Sequence, residues 1–183
     1  MKENYEKALS LILEFEGGYT DDPDDLGGIT CFGITRKNHP NLEMWEVIDH
    51  LKKIGIHPKY IAGRAKEYTQ VINSVGEVYK KQYWDACKCD KLPNGIDIYV
   101  FDGAVNHGVK QSSKFLQKAV KATPDGVIGN QTLSAIKKEN PATVKSKILS
   151  LRRTFYDDLI KRHPEQEKFR KGWYNRLDKL AKI

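Results

Sequence analysis

Residues 14 to 35 of the 183-residue chain read EFEGGYTDDPDDLGGITCFGIT. This segment predicts the end of a helix, an acidic turn and one small β-hairpin near residues 27–36. Upstream, apolar residues recur at helical spacing from Tyr5 to Ile12. Glu16 follows on the same face of the predicted helix, because an α-helix has 3.6 residues per turn. A carboxylate therefore occupies a position where the pattern calls for an apolar residue.

Glu16 is followed at once by Gly17 and Gly18. Glycine commonly ends a helix with a left-handed cap, so we expect Glu16 to lie in the last helical turn. There it is near the negative end of the helix dipole and partly out of water, and both effects disfavour the ionised form of a carboxyl group. Glu16 is therefore a candidate proton donor.

The rest of the chain predicts a mainly α fold. Residues 64–85 keep an apolar i, i+3, i+4 pattern, residues 96–109 indicate a buried helix, and the longest helix follows Pro141 to about Arg162. No alternating strands of comparable length occur. With 183 residues and 39% hydrophobic content, the chain is long enough to bury a core of its own.

The cysteines and the acidic turn do not indicate a metal site. Cys31, Cys87 and Cys89 have no complete set of ligands beside them, so we expect free structural thiols. A calcium loop beginning at Asp21 would need an oxygen ligand at its third position and glycine at its sixth, where the sequence has proline and leucine. The sequence therefore predicts neither a metal nor an organic cofactor.

Charge is distributed unevenly along the chain, which has a formal net charge of +7. Residues 1–100 carry 13 Lys and Arg against 16 Asp and Glu, whereas residues 101–183 carry 18 against 8. This asymmetry suggests a polyanionic partner such as nucleic acid, anionic lipid or acidic wall polymers, although solvated faces of amphipathic helices explain it equally well. Because no nucleic-acid-binding motif and no membrane-spanning run is present, we expect neither nucleic acid binding nor stable membrane insertion.

The opening segment has the residues that glycoside hydrolysis requires. That reaction commonly uses one protonated carboxyl group as acid and one ionised carboxylate as base or nucleophile. Glu16 has the environment of the acid, and the polar turn at residues 21–25 offers four aspartates for the second role. Gly27, Gly28 and Gly33 leave room for a bulky ligand, and the hydroxyl groups of Thr30 and Thr35 could position a water molecule or a sugar.

The motifs of this segment continue in order along nearly the whole chain. They are Glu16-Gly17-Gly18-Tyr19, Asp22-Pro23-x-Asp25-x-Gly27-Gly28-x-Thr30-x-x-Gly33-Ile34-Thr35, Tyr83-Trp84, Phe101-Asp102-x-Ala104-Val105-Asn106-x-Gly108, Leu116-Gln117, Asp125-Gly126-x-Ile128-Gly129-x-x-Thr132 and Gly172-Trp173-x-x-Arg176. The set resembles glycoside hydrolase family 108, the bacterial and phage N-acetylmuramidases. Its second part is similar to the peptidoglycan-binding region that accompanies this family.

The resemblance implies a lysozyme-like, mainly helical fold and cleavage of the β-1,4 bond between N-acetylmuramic acid and N-acetylglucosamine. The family's catalytic glutamate corresponds to Glu16. Phage-type lysozymes of the wider superfamily place an aspartate nine residues after the glutamate, which is Asp25 here, and Asp22 is the alternative. Those lysozymes also place a threonine at the hairpin, shortly beyond the aspartate. By their spacing this threonine would fall one position after Thr30.

Six further residues are candidates for contact with the substrate. Two side chains on one predicted helix, Asp102 and Asn106, either line the cleft or form a hydrogen-bonded pair that holds the core. Trp173 and Tyr83 either stack on sugar rings or fill helix interfaces. The complete set is Tyr19, Thr35, Tyr83, Asp102, Asn106 and Trp173.

We expect a catalytic lysozyme-like region at residues 1–95 and a helical peptidoglycan-binding-like region at residues 96–183, packed into one globule. The expected partners are peptidoglycan and anionic wall polymers, and we expect a monomer. No export signal is visible at the N-terminus, which favours a phage or prophage endolysin held in the cytoplasm until its release to the wall. The alternative is a non-catalytic wall-binding or secretion-accessory module with the same fold.

Overall fold

The computed structural model describes residues 2–16, 18–21 and 28–183. Helices dominate this part of the chain, so the predicted mainly α, lysozyme-like fold is confirmed. The α-helices are α1 (Lys2–Phe15), α2 (Met44–Lys53), α3 (Pro58–Ala65), α4 (Thr69–Tyr79), α5 (Ile96–His107), α6 (Val109–Ala119), α7 (Asn130–Ile136), α8 (Pro141–Arg162) and α9 (Arg170–Leu180). A π-helical turn (Lys80–Trp84) continues α4, and 3₁₀ turns span Cys89–Lys91 and Pro164–Phe169.

A small antiparallel sheet follows α1. Its strands are β1 (Tyr19–Thr20), β2 (Thr30–Cys31) and β3 (Ile34–Thr35), arranged in the order β1-β2-β3. Strands β2 and β3 form the hairpin predicted near residues 27–36. Strand β1 was not predicted, because two residues are too few to form a periodic pattern.

The described chain divides into two compact units. One unit comprises Leu9–Lys81, and the other comprises residues 2–8 together with residues 82–183. We call them the hairpin unit and the helical unit. Helix α1 contributes its first residues to the helical unit and the remainder to the hairpin unit.

In the hairpin unit, α2 packs against α3 and α4. Trp45 and Ile48 of α2 are fully buried, and the indole N–H of Trp45 donates to the carbonyl oxygen of His39 at 2.6 Å. Ile12 of α1 and Val75 of α4 are also fully buried. The apolar faces predicted from helical spacing thus form this core.

In the helical unit, α5 is central and packs against α6 and α8. The rings of Tyr5, Trp84 and Phe101 meet edge to face with centroids 5.2 to 5.8 Å apart. Cys87 and Cys89 are free and buried here, as Cys31 is in the hairpin unit. Within the described residues, the helices do not combine the length and apolar character needed to traverse a bilayer.

The predicted Asp-Gly turn before α7 is organised by Gln117, which is buried in α6. Its Nε2 donates to Asp125 Oδ1 at 2.7 Å, and its Oε1 accepts from the amide of Gly126 at 2.8 Å. The Val127 amide, and then Gln117, lower the pKa of the Asp125 carboxyl by hydrogen bonding to its ionised form. The Leu116-Gln117 and Asp125-Gly126 motifs are therefore parts of one structural unit.

Candidate active site

Glu16 lies one residue beyond the end of α1, at a bend in the chain. Its backbone N–H still donates to the carbonyl oxygen of Ile12 at 2.9 Å, and its own carbonyl accepts from the amide of Gly18 at 3.0 Å. The side chain is half-buried. The predicted left-handed cap at Gly17 falls outside the described residues.

The turn of the β2–β3 hairpin lies beside the Glu16 carboxylate. Phe32 and Gly33 both have left-handed backbone angles, with φ of 52° and 71°. Tyr79, the last residue of α4, donates its hydroxyl hydrogen to the carbonyl oxygen of Phe32 at 2.8 Å. A Cβ atom placed on Gly33 would lie 3.0 Å from Tyr79 Oη and 3.6 Å from Glu16 Oε2. The absence of a side chain at Gly33 therefore allows the hairpin to approach both groups.

Lys66 holds the same region from the segment after α3. Its Nζ donates to the carbonyl oxygen of Leu13 at 2.7 Å and lies 5.7 Å from the centroid of the Phe32 ring. An ammonium group at a helix C-terminus satisfies an orphan carbonyl and opposes the negative end of the helix dipole. Lys66 thus binds both the end of α1 and the hairpin. Sequence reasoning missed Lys66 and Tyr79 because both act over long sequence distances.

A row of threonines crosses the sheet. Thr20 pairs with Thr30, and Thr30 pairs with Thr35. Directly paired residues of antiparallel strands place their side chains on the same face of a sheet. The structure therefore brings the predicted residues Thr30 and Thr35 together and adds Thr20, which sequence reasoning missed along with strand β1.

Thr35 has a buried hydroxyl oxygen without a hydrogen-bond partner in the described part of the chain. A buried polar group normally has a partner, and leaving it without one costs roughly 1–3 kcal/mol. A bound water would remove that cost.

Tyr19 is half-buried at the start of β1. Its hydroxyl donates to Asp21 Oδ2 at 3.1 Å, and Lys52 Nζ binds the same oxygen at 2.7 Å. Burial, and then the hydrogen bond to Asp21, raise the pKa of Tyr19, whereas the hydrogen bond from Lys52 lowers the pKa of the Asp21 carboxyl. Asp21 is thus held ionised by Lys52.

The two candidates for the second carboxylate, Asp22 and Asp25, lie outside the described residues. Within the described ranges, His, Cys, Asp and Glu side chains do not gather in groups of three or more that could hold a metal ion. The predicted residues that the structure places in the hairpin unit are Glu16, Tyr19, Thr30 and Thr35.

The other predicted residues belong to the helical unit, where Asp102 has a structural environment. Its side chain is fully buried, and its two carboxylate oxygens contact Arg176 Nε at 2.8 Å and Arg152 Nη1 at 2.7 Å. The side chain of Arg152 is also fully buried. We call Asp102, Arg152 and Arg176 the buried ion cluster. This position favours the core-holding alternative for Asp102.

Asn106 and Trp173 also make packing contacts within the helical unit. Asn106 Nδ2 donates to the backbone carbonyl of Asp102 at 2.8 Å, rather than to its carboxylate. Trp173 stacks on Tyr156 with ring centroids 4.6 Å apart and an interplanar angle of 10°. One face of the indole is therefore occupied. Tyr83 lies half-buried in the π-helical turn.

His107 completes the surroundings of the buried ion cluster. Arg152 Nε donates to His107 Nε2 at 3.2 Å, which requires a neutral ring with its hydrogen on Nδ1. Burial, and then the positive charge of Arg152, lower the pKa of His107 to about 3. The ring is therefore uncharged at neutral pH.

The low pKa of His107 makes the folded chain sensitive to acid. Because the folded pKa lies below the unfolded value of about 6.5, the unfolded chain binds an extra proton between these values. The resulting stability is complete above about pH 6.5 and is lost as the pH falls towards 3.

His107→Gln should remove this dependence on pH. Measured by denaturant unfolding, the free energy of unfolding of this variant should change less between pH 3 and pH 6.5 than that of the unsubstituted protein. The exposed-site control His163→Gln should retain the slope of the unsubstituted protein, and an unchanged slope in His107→Gln would contradict the assignment.

Gly33→Ala is expected to reduce both stability and activity. An L-residue in the left-handed region costs roughly 1–2 kcal/mol, and the new methyl group would also meet Tyr79 Oη and Glu16 Oε2. Gly28→Ala is a matched control, because Gly28 has a φ of 65° and no atom of the described residues lies within 4 Å of its Cβ position. Chemical denaturation should therefore show a backbone cost in both variants, with a fall in kcat confined to Gly33→Ala. Equal kcat values in the two variants would argue against the importance of the close approach.

Comparison with known proteins defines the family of this site. Over residues 9–108 the sequence matches the glycosyl hydrolase 108 family. The chain belongs to this family. Residues 111–178 of this glycosyl hydrolase 108 chain match a second family, described as a predicted peptidoglycan domain. The resemblance inferred from the motifs is thereby confirmed, and the chain is a lysozyme-like glycoside hydrolase that acts on peptidoglycan.

A solved structure supports the same assignment. The structure of Brucella abortus SagA is similar to this glycosyl hydrolase 108 chain with a TM-score of 0.69 and 28% sequence identity. The similarity covers 100% of this chain and 94% of the SagA chain. Among curated proteins, no match was found.

Proposed function

We propose that this chain is an N-acetylmuramidase that cleaves the β-1,4 bond between N-acetylmuramic acid and N-acetylglucosamine, with Glu16 as general acid. The observation that carries the proposal is the position of the Glu16 carboxylate. It lies at the end of α1 and faces Gly33, where the hairpin has no side chain to cover it. A carboxyl group placed beside a hairpin turn that carries no side chain at Gly33 suits proton transfer to a sugar oxygen.

In this mechanism Glu16 donates its proton to the leaving glycosidic oxygen as the bond to the anomeric carbon breaks. The second carboxylate, Asp25 or alternatively Asp22, stabilises the oxocarbenium-like transition state or activates the water that adds to the anomeric carbon. Thr30 and Thr35 orient this water or the sugar. The Thr35 hydroxyl is buried and has no partner among the described residues, which supports a role in holding a water, since a bound water would satisfy it.

Each unit supplies its own proposed contacts with the glycan. Tyr19 adds a half-buried ring in the hairpin unit, and Tyr83, Asn106 and Trp173 are the proposed contacts of the helical unit. Asp102 is left out of this group because its side chain is fully buried. Residues 101–183, with 18 basic and 8 acidic side chains, would bind the anionic wall.

The release of reducing ends from purified peptidoglycan tests the proposal. A muramidase generates new N-acetylmuramic acid reducing ends, which borohydride reduction and mass spectrometry identify. A wall-binding or secretion-accessory module would sediment with the wall and release none. Parallel assays of Asp25→Asn and Asp22→Asn identify the second carboxylate.

A further inference from the structure

A groove on the outer side of α3 has no part in the mechanism above. It is formed by the loop at residues 55–57 and by the exposed face of α3, and it encloses about 530 Å³. Sites for small ligands commonly measure about 300–1,000 Å³. The groove lies entirely within the hairpin unit and could therefore hold one segment of a glycan independently of the helical unit.

The groove presents an aromatic ring to solvent. Tyr60 is 56% exposed, although most aromatic side chains of the described chain are buried or half-buried. The neighbouring Ile54 is also 56% exposed. The ring of His57 meets the Tyr60 ring edge to face at 6.2 Å. An exposed aromatic ring of this kind offers a flat surface for the apolar face of a sugar.

Two basic side chains line the groove beside this ring. They are Lys59 and Arg64, and Glu67 is the one acidic residue of the lining. Lys59 Nζ lies 4.7 Å from the centroid of the Tyr60 ring. Arg64 contacts Glu67 at 3.1 Å, but both side chains are about 60% exposed, and such exposed ion pairs are weak enough to open for another anion.

We propose that this groove is a second glycan-binding site, which holds an N-acetyl sugar bearing a carboxylate, outside the catalytic centre. The sugar stacks on Tyr60, and Lys59 and Arg64 bind its carboxylate. N-acetylmuramic acid has this chemistry, because its lactyl group is acidic when no peptide is attached. The choice of N-acetylmuramic acid as the ligand rests on the proposed function. The presence of an exposed ring beside two cations does not depend on that function. The site would hold the hairpin unit on wall glycan whose muramic acid has lost its peptide.

The test uses the disaccharide N-acetylglucosaminyl-β-1,4-N-acetylmuramic acid, which lacks the bond that a muramidase cleaves. Binding can therefore be measured on the full chain by NMR titration up to roughly 10 mM, without hydrolysis. We expect shifts of the backbone amides of residues 56–67 and an affinity at least about 5-fold lower in Tyr60→Ala. Tyr68→Ala is the matched control, since Tyr68 is 37% exposed and does not line the groove.

A second pair of variants tests the carboxylate. Lys59→Ala should weaken binding of the muramic acid disaccharide but not of N,N′-diacetylchitobiose, which has no carboxylate. Lys53→Ala, exposed and outside the groove, should alter neither. The proposal is overturned if the groove amides do not shift, if Tyr60→Ala binds like the unsubstituted protein, or if inorganic phosphate alone produces the same shifts. A failure of Glu16→Gln to stop hydrolysis would leave these results unaffected, so the two proposals fail separately.

Discussion

Glu16→Gln is expected to lower the rate of peptidoglycan hydrolysis by at least about 100-fold, because general acid catalysis contributes roughly 10²–10⁴-fold. The amide keeps the size of the carboxyl group but cannot deliver its proton to the leaving oxygen. Glu16 Oε2 lies beside Gly33, a position that has no Cβ, so the substitution adds no steric conflict. The measurement is the initial rate of reducing-end release from purified peptidoglycan.

Glu14→Gln provides the control for Glu16→Gln. It makes the same chemical change two residues earlier on the exposed side of α1 and should retain the activity of the unsubstituted protein. Circular dichroism and sedimentation with intact peptidoglycan should show that Glu16→Gln still folds and still binds the wall. Hydrolysis by Glu16→Gln at the normal rate would remove Glu16 from the mechanism.

Asp102→Asn is expected to destabilise the chain by about 3–5 kcal/mol, the usual result of removing one partner from a buried ion pair. The substitution leaves Arg152 and Arg176 with positive charge in the interior and no counterion at Asp102. For a chain of this length the loss corresponds to a fall in Tm of roughly 6–20 °C. Chemical denaturation and thermal unfolding measure it directly.

The control for Asp102→Asn is Asp158→Asn. Asp158 contacts Lys161 on the surface of α8, with both side chains more than half exposed, and its loss should cost less than about 1 kcal/mol. Activity separates the two hypotheses about Asp102. Below its unfolding transition, Asp102→Asn should hydrolyse peptidoglycan at nearly the normal rate per folded molecule. A large loss of kcat without a loss of stability would place Asp102 in the cleft instead.

The sequence predicted the elements whose patterns are long or whose residues are distinctive. The helical periodicity placed the buried face of α1, the Pro141 helix began and ended as expected, and Gly33 marked the hairpin. Glu16 was expected in the last turn of α1 and lies one residue beyond the end of that helix. These features are set by residues that are close together in the sequence, so a sequence pattern can predict them.

Contacts between distant residues could not be found in the same way. Tyr79 and Lys66 reach the hairpin and the end of α1 over 47 and 53 positions. Asp102 and Arg176 are 74 positions apart, although both belong to recognised motifs. Neither motif indicates that the other is its partner. The division of the chain near residue 95, the endolysin origin and the monomeric state stay predictions.

The helical unit is assembled from both ends of the chain, and this arrangement sets an order for folding. During synthesis the first turns of α1 emerge long before Trp84 and Phe101, the rings that Tyr5 contacts. Residues 9–81, with Glu16 and the hairpin, are complete as soon as Lys81 has emerged, and compact units generally fold as soon as they can. We therefore expect the helical unit to close around Tyr5 late in the formation of the protein.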